Sequence, residues 1–266
     1  MKFENVQNLL LTENFKILLK EIQRCDNSIF KKGIKLYCHY KINNVARSKY
    51  NPYFYFLLNK DIHNVINDLK NIDDLYANYY LGLYYFSIYN LDLAFEYFSK
   101  YSNACYTSYI GQIMIEKGEL LKGITLLNNS KSFILSSFYL ANCYSNNYGV
   151  HYDFNTCESL YKYCADLGYL DAIYHLAVLY ISTDQIKYGP KYCLDLMEKA
   201  ALKYHTKSYM YVLYYYYLRD EVLFDKWFEY LKSSDNKELI QLIANDFKYG
   251  YNFEVDEVKS SILYNL

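Results

Sequence analysis

The chain has 266 residues, of which 53% are hydrophobic, and a formal net charge of −1. This hydrophobic content excludes a disordered protein, and the near-neutral charge gives no overall field to gather nucleic acid or an anionic membrane. Two prolines and nine glycines leave few turns for an all-β fold, and apolar residues recur at three- and four-residue spacing. An all-α fold is therefore predicted.

The amino-terminal region differs from the rest in charge and in pattern. Residues 1–50 carry ten Lys or Arg against four Asp or Glu. We interpret them as a solvated basic end on an acidic body, with a phosphate- or acid-binding end as the alternative. Helical segments are predicted at about 12–25, 29–42 and 53–70, with Pro52 at a helix start. Residues 1–75 are expected to form a divergent helical cap.

The lack of a recognisable secretory signal and the cysteine usage both favour the cytoplasm. The apolar patch Leu9–Leu11 is bracketed by Glu4 and Glu13, which is unlike a secretory signal. The longest apolar run, Tyr209–Leu218, has about half the length of a membrane-spanning helix. Seven cysteines, an odd number without a C-x-x-C pair, suit a reducing compartment. We expect a cytoplasmic protein without a membrane partner.

A pattern of small and aromatic residues repeats from residue 76 onward, with a period of about 36 where it is clearest. Cys157 recurs as Cys193, and Ala172 recurs as Ser208. Each unit is predicted to be an antiparallel helix pair that must stack on its neighbours to bury its apolar face. The units are predicted at about 76–103, 104–131, 132–171, 172–207, 208–235 and 236–266.

The unit at 132–171 carries a motif that resembles a known repeat. Its members are Ala141, Tyr144, Gly149, Val150, Asp153, Cys157, Tyr161, Cys164, Ala165 and Gly168. The motif resembles the Sel-one-like repeat, a relative of the tetratricopeptide repeat, and the unit at 76–103 is more similar to a tetratricopeptide motif. The resemblance implies a right-handed α-solenoid of antiparallel helix pairs. It also implies a scaffold or adaptor function, in which partners bind a concave surface formed by the first helix of each pair.

By the tetratricopeptide pattern, one side of each first helix lines a concave groove rich in tyrosine. Aromatic side chains are favoured as interface anchors. The alternative is ordinary packing or biased composition, since the chain has 37 tyrosines. The predicted groove residues are Tyr76, Tyr79, Phe86, Gln112, Phe138, Asn142, Tyr174, Val178, Met210, Tyr214 and Tyr217. The same sides of the helices carry Leu83, Ser108, Glu116, Asn146 and Asp171.

Motifs for catalysis and for cofactor binding do not emerge from the sequence. The stretch Gly118–Thr125 misses the phosphate-binding loop, because Ile124 stands where the lysine belongs. The histidines are scattered, and neither Cys38-His39 nor His151–Asp153 has the paired spacing of a zinc site. We expect no catalytic residue, no metal and no cofactor, and predict that the protein is not an enzyme.

Several polar and thiol groups are assigned structural roles instead. Asp153 and Asp256 are predicted to cap the second helices of their pairs. Cys143, Cys157 and Cys164 occupy positions that the repeat pattern predicts to be buried.

Together these patterns predict a non-enzymatic scaffold or adaptor that binds a peptide or a helix of another protein in the tyrosine-rich groove. The alternative is a regulatory adaptor whose basic amino-terminal cap contacts an acidic or nucleic-acid partner. Affinity that falls steeply with salt would favour the alternative. An unpaired last helix in the unit at 236–266 would leave apolar surface for a second copy of the chain or a partner helix.

Overall fold

The computed structural model describes residues 3–25, 28–43, 52–57, 61–72, 74–183, 188–234 and 236–266. Regular secondary structure across these residues is helical, without a strand, which confirms the predicted all-α class. The predicted basic end lies partly outside the described residues, which leave out Arg47 and Lys49, and the side chain of His39 is also outside them. The chain divides into two compact units, Met1–Tyr169 (the first unit) and Leu170–Leu266 (the second unit).

The first unit begins with short helices that agree only in part with the predicted segments. The segment predicted at 53–70 is two helices, and the one predicted at 12–25 begins at Phe15. Pro52 begins a helix as predicted, because its fixed φ suits the first helical turn. The helix over residues 3–11 is absent from the prediction. These helices are α1 (Phe3–Leu11), α2 (Phe15–Glu21), α3 (Ser28–Asn43), α4 (Pro52–Leu57) and α5 (Ile62–Ile72), with a 3-10 turn at Ile22–Arg24.

Three helix pairs follow in the first unit, and each pair packs as an antiparallel hairpin across a short turn. Polar side chains start most of these helices by accepting an N–H of the first turn: Asp74, Asn90, Asn103 and Asp153. The capping role predicted for Asp153 is confirmed. The pairs are α6 (Leu75–Ser87) with α7 (Leu91–Ser99), α8 (Ala104–Glu116) with α9 (Leu120–Asn129), and α10 (Ile134–Ser145) with α11 (Phe154–Asp166).

Glycines at two of these hairpins allow close packing of the paired helices. A Cβ on Gly123 would lie 2.6 Å from the backbone oxygen of Gly111, so the two helix backbones meet there. A Cβ on Gly82 would lie 2.7 Å from the Phe98 ring. Gly123 therefore lies at a helix crossing, and Gly82 makes room for an aromatic ring of the partner helix.

The second unit is built from helices of similar length. Asp220, Asn236 and Asp256 cap α15, α16 and α17, so the capping role predicted for Asp256 is confirmed. In the last helix, Val258 remains 70% exposed. The helices are α12 (Leu170–Ser182), α13 (Pro190–Ala201), α14 (Thr206–Tyr217), α15 (Glu221–Lys232), α16 (Lys237–Tyr249) and α17 (Glu257–Tyr264). The repeat boundaries, and self-association through the last helix, stay predictions.

Candidate functional site

The predicted groove residues of the first unit fall into two groups along α6, α8 and α10. Phe86, Gln112 and Asn142 lie toward the carboxyl ends of these helices and line one cavity. Tyr76, Tyr79 and Phe138 lie nearer the amino ends of α6 and α10. The two groups have different surroundings, although they occupy equivalent sides of the helices in the predicted pattern.

The cavity at the carboxyl ends, named here the open groove, has a volume of about 310 Å³. Its apolar walls include Phe86 of α6, Ile115 of α8 and Tyr139 of α10. Three successive first helices of the predicted pairs therefore contribute to it. The described lining consists of Phe86, Gln112, Ile115, Glu116, Tyr139, Asn142, Cys143, Asn146 and Tyr148.

The polar groups of the open groove are held in defined positions. The Tyr89 hydroxyl donates to Glu116 Oε2 at 3.0 Å, and this bond raises the pKa of Tyr89. The Tyr161 hydroxyl donates to Asn142 Oδ1 at 2.5 Å, which fixes the orientation of the Asn142 amide. Asn146 Nδ2 donates to the backbone oxygen of Asn142 at 2.8 Å. These bonds orient acceptors and amides around the apolar walls.

Gln112 differs from the other polar residues of the open groove. Its side chain is 4% exposed, and its amide nitrogen donates to Ser108 Oγ at 3.4 Å. Among the described residues, its buried Oε1 has no hydrogen-bond donor. A buried acceptor without a donor is costly, and this cost distinguishes Gln112 from the other polar groups of the open groove.

The amino ends of the same helices are covered by α1, and this region is named here the covered end. Glu4 accepts the Ala104 N–H at 2.8 Å, at the start of α8. Asn8 accepts the Ile134 N–H at 3.1 Å, at the start of α10, and donates to the Ser132 oxygen at 3.0 Å. Helix α1 thus satisfies backbone groups at two helix starts.

Aromatic packing at the covered end corrects part of the groove prediction. The Phe3 ring lies 4.9 Å from the Tyr79 ring and 5.1 Å from the Tyr76 ring, and Tyr79 is 2% exposed. Phe138 is 6% exposed and packs on Tyr161 at 5.9 Å. Tyr79 and Phe138 are core residues, and Tyr76 is half-buried beneath α1. For Tyr79 the local helix pattern gave no sign of this, because the covering ring of Phe3 comes from the start of the chain, whereas Phe138 is covered within its own region by Tyr161 and Tyr169.

In the second unit, the predicted groove residues do not gather in one described cavity. Tyr214, which is 41% exposed, lines a cavity of about 660 Å³ together with Tyr211 and Arg219. Tyr217 packs on Phe253 at 5.2 Å. Tyr174, Val178 and Met210 lie outside the lining described for that cavity. Their role in partner binding stays a prediction.

His205 and Asp171 form a structural contact in the second unit. His205 Nε2 lies 3.2 Å from Asp171 Oδ1, and His205 Nδ1 accepts the Ser208 N–H at the start of α14. The ring therefore caps a helix. The same ring contacts Asp171, which was predicted on the groove side.

Thiols in and near the groove region are protonated at neutral pH. Burial raises the pKa of Cys143 to about 11 and that of Cys164 to about 12. Burial also raises the pKa of Cys157 to about 11. All three are buried, as the repeat pattern predicted. Across the described part of the chain, no three His, Cys, Asp or Glu side chains cluster as metal ligands would.

Comparisons with known proteins bear on the fold. A scan against protein-family models and a search of curated proteins gave no match. Among solved structures, the chain is similar to a Sel1 repeat protein from Oxalobacter formigenes, with a TM-score of 0.51 and 16% identity over 69% of this chain and 81% of that one. It is also similar to a protective antigen present in uropathogenic Escherichia coli strains and displaying an SLR fold, with a TM-score of 0.50 and 17% identity.

The second match covers 96% of this chain and 55% of the antigen, so this chain spans about half the length of that protein. The chain has the fold of the Sel1-like, or Sel-one-like, repeat, an all-α solenoid, and the resemblance seen in the sequence is confirmed. No described helix has the length and apolar character needed to traverse a lipid bilayer.

Proposed function

We propose that the chain is a non-enzymatic scaffold that binds a peptide or a helix of a partner protein in the open groove. One observation carries the proposal: α6, α8 and α10 each contribute side chains to a single cavity that is open to solvent. A segment lying in this cavity would touch three successive helix pairs at once. The residues that contact the bound segment would therefore be brought together by the stacking of the helix pairs.

The composition of the groove suits a protein ligand. Phe86, Ile115 and Tyr139 offer apolar and aromatic surface for an anchoring side chain. Asn142 and Asn146 add amides that can bond a peptide backbone. A volume of about 310 Å³ is at the small end of ligand sites, which fits one or two anchoring side chains better than a large cofactor.

The proposed contact residues revise the sequence prediction. Phe86, Gln112 and Asn142 are retained, and Tyr139 and Tyr148 are added because they line the same cavity. The second-unit residues Tyr174, Val178, Met210, Tyr214 and Tyr217 stay a separate prediction of further contact.

Site-specific photocrosslinking tests the proposal. A benzoylphenylalanine at Tyr148, inside the groove, is compared with one at Tyr152, outside its described lining, because both side chains are 47% exposed. We expect a partner, identified by mass spectrometry, to crosslink several-fold more at Tyr148. Adding Phe86→Ala should reduce that yield, since it removes an aromatic wall of the groove.

Equal yields at the two positions, or a yield that Phe86→Ala leaves unchanged, would count against the groove. The same partner is then titrated against salt. A steep loss of affinity with salt would favour the basic amino-terminal cap as the binding region, which is the alternative drawn from the sequence.

A further inference from the structure

The open groove carries an acidic group for which the described residues provide no ion-pair partner. Glu116 is the charged side chain among its described lining residues. The nearby lysines are engaged elsewhere: Lys117 pairs with Asp92 at 2.6 Å, and Lys122 pairs with Glu119 at 3.0 Å. The described contact of Glu116 is the neutral Tyr89 hydroxyl. The carboxylate is therefore available to a cation from another molecule.

Helix geometry adds to this negative charge. The groove is lined by Phe86, Glu116 and Asn146, which lie at or next to the carboxyl ends of α6, α8 and α10. The carboxyl end of a helix bears partial negative charge from its last carbonyl groups, and it stabilises a nearby cation. Three such ends at one cavity favour a positively charged ligand group over a negative one.

Gln112 and Glu116 can act on the same ligand group. They are four residues apart on α8, so their side chains lie on one face of the helix, one turn apart. Gln112 Oε1 is the buried acceptor that lacks a donor among the described residues. A ligand with several N–H donors in one plane could pair with Glu116 and, once the Gln112 amide turns toward the cavity, with Gln112 Oε1 as well.

The aromatic walls favour a flat cation. Phe86 and Tyr139 stand on α6 and α10, the helices on either side of α8 in the repeat order. A guanidinium group stacks on aromatic faces and presents five donors in a planar fork, whereas an ammonium is a compact point charge. Arginine therefore matches this set of groups better than lysine does.

We propose that the open groove anchors an arginine side chain of the bound segment, with Glu116 and Gln112 accepting its N–H groups beside the rings of Phe86 and Tyr139. This inference rests on the proposed function and names the chemistry of the partner. It also excludes an acidic tail from this site, because a carboxylate would meet Glu116 and the carboxyl ends of three helices.

Peptide pools of defined chemistry test the inference. The full chain is titrated with fluorescein-labelled hexapeptide pools in which one central position is fixed as Arg, Lys, citrulline, Leu or Glu, and anisotropy reports binding. Citrulline keeps the shape of arginine but is neutral. We expect the Arg pool to bind most tightly and the citrulline pool to bind about tenfold more weakly, because charge-assisted hydrogen bonds are roughly twice as strong as neutral ones.

Three variants localise the preference. Glu116→Gln should remove the difference between the Arg and citrulline pools. Glu119→Gln makes the same change of charge on a residue outside the described lining and should keep the difference. Gln112→Met removes the unpaired acceptor at similar size and should lower affinity for the Arg pool more than affinity for the Leu pool. Circular dichroism checks that each variant keeps its helical content.

The outcomes separate this inference from the proposed function. If Phe86→Ala weakens the binding of some pool, but arginine and citrulline bind equally, the groove binds a segment and the arginine inference is wrong. The inference is also overturned if the Leu or Glu pool binds most tightly, or if Glu116→Gln behaves as Glu119→Gln does. If no pool binds in a manner sensitive to Phe86→Ala, the proposed function fails with it.

Discussion

The two ends of α6, α8 and α10 differ in how their polar groups are satisfied. At the covered end, Glu4 and Asn8 of α1 accept N–H groups at the starts of α8 and α10. At the open groove, Gln112 Oε1 lacks a donor among the described residues, and Glu116 lacks a described cation. Helix starts attract acceptors and negative charge, and helix ends attract donors and positive charge. The chain itself supplies the first kind of partner, and we propose that another protein supplies the second.

The comparison also separates two roles for tyrosine and phenylalanine on one helix. Tyr79 and Phe86 are both on α6, seven residues apart, and therefore lie on the same face. Tyr79 is buried under α1, whereas Phe86 borders the open groove. Two aromatic residues on one face thus differ in role, one in the core beneath α1 and one at the edge of the open groove.

The largest effect is expected from removing the aromatic anchor of the covered end. Phe3 is 7% exposed and contacts the rings of Phe30, Tyr76, Tyr79 and Tyr106. Phe3→Ala should lower the free energy of unfolding of the first unit by about 3–5 kcal/mol, as for other buried phenylalanines. Hydrogen exchange of amides in α6 and α8 under urea measures this loss.

Leu121→Ala provides the control for that loss. It also truncates a large apolar side chain, but Leu121 is 73% exposed. It should stay within about 0.5 kcal/mol of the wild type. A Phe3→Ala value as small as that would mean that α1 does not hold the covered end closed.

A smaller effect is expected from the polar contact between α1 and the start of α10. Phe133 precedes α10 and offers no side-chain cap, so Asn8 provides the acceptor for the Ile134 N–H. Asn8→Ala should cost about 0.5–2 kcal/mol, the range for a lost helix cap. Chemical denaturation followed by circular dichroism measures the cost.

Asn8→Asp sharpens that measurement. Aspartate keeps an acceptor at the helix start and adds a charge that the helix dipole favours, but it loses the donor to the Ser132 oxygen. It should retain most of the stability that Asn8→Ala loses. Equal losses in the two variants would show that the donated bond, and not the cap, is what matters.

The sequence predicted antiparallel helix pairs and the helix positions of several residues that line the open groove, because both depend on local spacing; that these residues bind a partner stays a proposal. Gly123 marks a helix crossing, Asp153 caps a helix, and the positions of Phe86, Gln112 and Asn142 follow from where the first helices begin. Each of these features is encoded within one unit or in the interval between neighbouring units. Regular repeats make such features readable.

The covered end could not be predicted in this way. Glu4 and Asn8 reach partners 100 and 126 positions away along the chain, and neither contact leaves a mark in local periodicity. Apolar spacing in Phe3 and Val6 permits a helix but does not say where it docks. The burial of Tyr79 beneath Phe3 therefore could not be predicted from local spacing. The unpaired Oε1 of Gln112 is likewise a property of its surroundings and not of its position in the repeat.

The smallest expected effect is a difference in the labelling of two cysteines, one at each end. Cys105, on the first turn of α8, has its pKa raised by burial and then by the nearby Glu4 carboxylate. Cys143 lines the open groove, and burial raises its pKa to about 11. Between about pH 7.5 and 9.5, iodoacetamide labelling of Cys143 should rise about tenfold per pH unit, because the thiolate is the reactive form and the folded pKa lies above this window.

Cys105 should respond to opening of the covered end instead. The pKa of Cys105 is higher in the folded state than its value near 8.5 in the unfolded state. This difference stabilises the folded state fully below pH 8.5, and the stabilisation is lost as the pH rises toward the folded pKa. The thiolate of Cys105 therefore forms mainly when the region opens. Phe3→Ala should therefore speed labelling of Cys105 and leave Cys143 unchanged, as read by peptide mass spectrometry. An arginine-containing peptide bound in the groove should slow only Cys143. If Phe3→Ala accelerated both cysteines alike, the two ends would open together, and the contrast between a covered and an open end would not hold.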